Sequence, residues 1–144
     1  MTAIDVFKAL IFCDNTIDID NDYYYLKCAN IIANRFAQDG DEMQQQFKTF
    51  LLTTLPIYLH KTGANVSVNE LLLVVEKGGH IGDADGVEKQ LFVDTFKALK
   101  DDIEKVLNTL KNGDDFNDVK DVYDKHGINI DIAKIVARDI VIRS

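Results

Sequence analysis

Apolar residues recur along this chain at spacings of three and four, the mark of helices that bury one face. The clearest run is Phe92, Phe96, Leu99, Ile103, Val106 and Leu110. It predicts a long helix over 86–111. Asp85-Gly86-Val87-Glu88 has capping-box form at its start, and Gly113 ends it. Lys97, Asp101 and Lys105 on its other face are spaced for pairs within the helix. Ser67-Val68-Asn69-Glu70 repeats the capping box and opens a helix over 68–77, with Leu71, Leu72, Val74 and Val75 apolar and Gly78-Gly79 as its stop. Upstream, Val6, Leu10 and Cys13 mark a helix capped by Thr2. Tyr25, Cys28, Ala29, Ile32 and Phe36 mark a second near 22–38, capped by Asp20 or Asp22 and broken by Asp39-Gly40-Asp41. A third runs from about Glu42 to His60 with one apolar face of Phe47, Phe50, Leu51, Leu55 and Tyr58. Pro56 lacks an N–H, so a kink or restart is expected there, and Gly63 stops the helix. Downstream, Asp114 or Asp115 caps a helix to Lys125 with Phe116, Val119 and Tyr123 inward, closed by His126-Gly127. Asn129 or Asp131 caps a last helix carrying Ile132, Ile135, Val136 and Ile140. These elements leave no room for a linker. The expectation is an all-α protein, a single compact bundle of six to seven short helices forming one domain over 1–144.

Composition narrows the class of function. A chain of 144 residues with 47% apolar content buries a core without staples. Twenty-four acidic residues against 16 basic ones leave a net charge of −8. That excess argues against direct nucleic-acid binding through phosphates and suits a basic partner. Two cysteines, Cys13 and Cys28, make no disulfide framework and read as buried thiols. No basic segment leads into an apolar run at the N-terminus, and no apolar stretch approaches the ~18 residues of a membrane span. The expectation is therefore a cytoplasmic protein with no membrane contact.

The residue pattern offers little for catalysis. His60, His80 and His126 are far apart in sequence at expected helix ends or loops, and for His60 and His126 the favourable end of the helix dipole is reason enough. No Cys-x-x-Cys, His-x-x-x-His or Gly-x-Ser-x-Gly occurs. Gly78-Gly79-His80-Ile81-Gly82 is not followed by the lysine and hydroxyl of a phosphate-binding loop. Asp114, Asp118 and Asp121 share one helical face expected to meet water. Asp139, between Ile135 and Ile140, is the acid in the most apolar context, with Arg143 positioned to pair with it. No catalytic residue and no cofactor is expected, and the chain is read as a non-enzyme.

The segment from Asp14 to Asp22 stands apart. Asp14, Asp18, Asp20 and Asp22 crowd a short connection with Asn15 and Asn21. Aspartates repel one another and compete with the backbone for hydrogen bonds, so they belong in a loop. Tyr23, Tyr24 and Tyr25 follow directly. Three consecutive side chains cannot all point inward from one helical turn, and tyrosine buries much area at little entropic cost. Asp18, Asp20, Asp22, Tyr23 and Tyr24 are the expected partner-binding residues. The expected partner is another protein with a basic surface, including a nucleic-acid-binding protein whose groove the acids would block.

Hard cations are the alternative ligand. An EF-hand loop begun at Asp18 has Tyr23 where glycine is needed and Ala29 where glutamate is needed; one begun at Asp14 has Ile19 and Tyr25 there. Asp14-Asn15-Thr16-Ile17-Asp18-Ile19-Asp20-Asn21 and Gly78-Gly79-His80-Ile81-Gly82-Asp83-Ala84-Asp85 each link two helices and share a central isoleucine. This pairing resembles the Asp-Gly-x-Ile-Asp-x-x-Glu loops of the tellurite-resistance TerB-like helical domains. The resemblance covers only these two loops. The first lacks the glycine and has Asn21 for glutamate; the second has Gly78 and Gly82 where acids are expected. It implies a divalent metal held by Asp14, Asp18 and Asp20 with Asp83 and Asp85. An enzyme with a dispersed site is the remaining alternative.

Overall fold

The computed structural model describes residues 27–29, 33, 42–78 and 86–140. The apolar stripe over 86–111 forms the central helix of the fold. Here α1 is Glu42–Thr49, α2 Leu55–Thr62, α3 Val68–Lys77, α4 Gly86–Lys111, α5 Lys120–Lys125 and α6 Ile130–Asp139. A π-helical turn, Phe50–Thr54, joins α1 to α2, and a 3-10 turn, Phe116–Val119, precedes α5. No strand occurs among the described residues, and the fold is an all-α bundle. Lys27–Ala29 and Ala33 are helical, in agreement with a helix over 22–38.

All six stripe residues of α4, from Phe92 to Leu110, are buried. Each contributes about 1.5–3 kcal/mol relative to exposure to water. Helices α1, α2 and α3, the π turn and the 3-10 turn all pack on α4, while α6 packs on the π turn, the 3-10 turn and α5. Phe92 sits at the centre. Its ring meets Phe47 edge-on at 5.0 Å and Phe96 at 6.1 Å, and Phe50 lies tilted at 6.4 Å. Edge contacts of this kind place a ring's positive rim on its neighbour's negative face.

Several helix ends follow the sequence, although at Ser67 only the hydroxyl half of the expected capping box forms. The Ser67 hydroxyl accepts the Glu70 N–H at 3.1 Å, and the Asn129 side-chain oxygen accepts that of Asp131 at 2.9 Å. Gly113 closes α4 at φ 78°, with its own N–H on the Leu110 carbonyl and the Asp114 N–H on that of Thr109. This paired closure requires the left-handed region that glycine enters freely.

Four expectations need correction. The pattern over 42–60 implies a single apolar face, yet every residue from Thr49 to Leu59 is buried. Threonines disguise it: the hydroxyl of Thr49 donates to the Gln45 carbonyl at 2.8 Å, and that of Thr53 to Thr49 at 2.5 Å. Satisfied four residues back, they enter the core without a distant partner. Second, Lys97 and Lys105 do not pair within α4; Lys97 meets Glu76 on α3 at 3.3 Å and Lys105 meets Asp121 on α5 at 3.4 Å. Third, the segment after Asp115 opens as a 3-10 turn before α5. Fourth, Asp139 is 39% exposed and meets Arg138 at 3.5 Å, so it lies in no apolar pocket; Arg143 is outside the described residues.

Candidate functional site

The expected partner-binding residues Asp18, Asp20, Asp22, Tyr23 and Tyr24 lie outside the described residues. So do Asp14, Asp83 and Asp85 of the metal alternative, as well as Cys13, His80 and the capping acid Asp85 of α4. Cys28 is a free thiol and half-buried, more exposed than expected. His60 is exposed in the last turn of α2. At the start of the second loop, Gly78 brings no side chain, and its carbonyl accepts Lys89 Nζ at 2.6 Å. That ammonium is also 3.4 Å from the Glu76 carbonyl.

The strip of Asp114, Asp118 and Asp121 is exposed as expected, but two of its members have local work. Asp118 Oδ2 accepts the Asp115 N–H at 3.2 Å, while Asp115 Oδ1 accepts the Asn117 N–H at 3.1 Å, a reciprocal cap on the 3-10 turn. Asp121 holds Lys105. Lys120 and Asp124 pair one turn apart at 2.6 Å. The face thus alternates acids with lysines.

A polar cluster that sequence reasoning missed sits where α5 ends. The His126 side chain is 11% exposed, and its Nε2 lies 2.8 Å from Asp102 Oδ2 on α4. An ionised carboxylate only accepts, so the ring carries a proton on Nε2. Lys125 Nζ approaches the same oxygen at 3.4 Å. Gln45 on α1, itself buried, donates through Nε2 to the His126 carbonyl at 2.8 Å. Partial burial of Asp102 by itself raises its carboxyl pKa. The hydrogen bond from His126 and the charges of Lys125 and His126 outweigh it, and the group is held below its ordinary value. The groups joined here are a carboxylate, an imidazole, an ammonium and an amide. A nucleophile would have to be supplied for acid–base work on a substrate; the contacts made tie α1, α4 and the α5–α6 turn together. Among the described residues, no group of three or more His, Cys, Asp or Glu gathers closely enough to hold a metal ion.

Tyr123, fully buried, donates its hydroxyl to the Leu52 carbonyl at 2.7 Å. Burial raises its pKa far above that of a free phenol, so the proton stays in place to be donated. The signal in the sequence was only half a signal: Pro56 implies a carbonyl left without its helical partner, but not the residue that meets it.

Comparison of the chain with protein families, curated proteins and solved structures found no match.

Proposed function

We propose that this chain is a small acidic, non-catalytic domain that binds another protein through the segment of Asp18, Asp20, Asp22, Tyr23 and Tyr24, its partner presenting a basic surface. One observation carries the reading. The nine residues from Asp14 to Asp22 hold four acids and no base, −4 of the chain's total −8. Solubility alone would be served by acids spread over every helix. Here four of them fall within nine residues beside a run of tyrosines, which suits electrostatic steering toward a basic surface and an aromatic anchor once docked. A partner that normally holds nucleic acid would find its phosphate-binding groove matched by this row of carboxylates.

The test is capture from extracts of the native host, followed by association kinetics with the purified partner. Reversal of two charges, Asp20→Lys with Asp22→Lys, is compared with reversal of Asp114 and Asp121, each variant first shown to be folded by circular dichroism. The loop reversal is expected to slow association by about tenfold or more at low salt and to flatten its salt dependence. If the loop reversal leaves both unchanged while the other pair slows binding, the interface lies on the 3-10 turn and α5. If neither pair matters, charge does not guide binding and the proposal fails.

A further inference from the structure

In an α-helix the N–H of residue 56 would donate to the carbonyl of Leu52. Residue 56 is Pro56, which has no N–H. The helix is wide here: the Leu55 N–H reaches back five residues to the Phe50 carbonyl, and Phe50–Thr54 is a π turn. The Leu52 carbonyl instead accepts the hydroxyl of Tyr123, which lies 71 residues away on α5. Leu52, Pro56 and Tyr123 are all buried, so this carbonyl is shielded from water. We infer that Tyr123 and Pro56 form a register latch: the proline opens a place in the helical ladder, the phenol fills it, and together they hold the one-residue insertion of the π turn.

The consequence reaches beyond the turn. One inserted residue rotates everything before it by about 100° relative to an uninterrupted α-helix. In the observed phase, Gln45 and Thr49 of α1 face inward with Phe50. Gln45 is then placed to donate to the His126 carbonyl, three residues beyond Tyr123. The side of α1 turned to the core therefore depends on the seating of α5.

The latch is tested with Tyr123→Phe, Pro56→Ala and the two combined, comparing unfolding constants from urea titrations. Phenylalanine keeps the ring and removes only the donor. Tyr123→Phe alone is expected to raise the unfolding constant about 10- to 100-fold, the usual effect of stranding a buried acceptor. In the Pro56→Ala background a backbone N–H is available for Leu52, and the same tyrosine substitution is expected to cost about threefold or less. In the combined variant, the backbone amide gained at position 56 should also be strongly protected from hydrogen exchange. If Tyr123→Phe alone fails to fold and the combined variant folds, the coupling is confirmed in its extreme form. Equal fold-changes in both backgrounds, or failure of the combined variant to fold, would overturn the latch.

Discussion

Asp102 shows how a residue's role is set by what comes to it. On α4 it is one of several acids and could be taken for a solvated charge. In the fold, the His126 ring and Lys125 converge on one of its oxygens. Its carboxyl is held below the ordinary value near 3.9 that it regains on unfolding. A group with a depressed folded pKa contributes stability above the unfolded value, and that contribution is lost as pH falls through the lower folded value. Asp102→Asn is therefore expected to flatten the acid limb of stability against pH below about 4. Urea midpoints of the two proteins over pH 2 to 6 check this. Parallel limbs would show that other carboxylates govern the acid transition.

At the scale of elements, ends and interruptions carry more information than helix interiors. Gly113 stops α4 in a left-handed conformation, and a Cβ added there would meet nothing within 4 Å. The effect of Gly113→Ala is thus backbone strain without a clash, about 1–2 kcal/mol. A lower urea midpoint with an unchanged slope would confirm it; no loss would mean that the turn adapts without cost. Gly63 and Gly127 close α2 and α5 with the same pair of hydrogen bonds. The boundaries at Ser67, Gly113 and Asn129 were legible because each depends on residues two to five positions away. The π turn was not, because Thr49 to Leu59 are all buried and so show no polar face against which a change of phase could be read, and the proline that signals it lies just beyond it.

For the whole molecule, the described residues share one apolar core. That core reaches from Ala29 to Ile140. Folding should therefore need neither metal nor disulfide. A chelator with a thiol reductant is expected to leave the urea midpoint unchanged. At 0.1 mM, calcium or magnesium should add less than about 0.4 kcal/mol, the limit for a site no tighter than about 10⁻⁴ M. A larger gain that disappears in Asp18→Asn would replace the partner reading with the metal reading. The candidate binding segment was legible only as composition, a crowd of acids beside tyrosines, because side-chain identity gives charge and size but not the surface they form.

The sequence alone determined the all-α class, the inward stripe of α4, the caps at Ser67 and Asn129 and the glycine stops at Gly63, Gly113 and Gly127. Each rests on hydrogen bonds and side-chain spacings that close within about five residues, so the local order of residues is enough. The tertiary structure alone decided that His126 would find Asp102 across 24 residues, Tyr123 the Leu52 carbonyl across 71, and Gln45 the His126 carbonyl across 81. It also decided that Thr49 to Leu59 would be buried on all sides. These outcomes depend on which helix faces meet and in what phase, and a π turn of five residues is enough to change the phase.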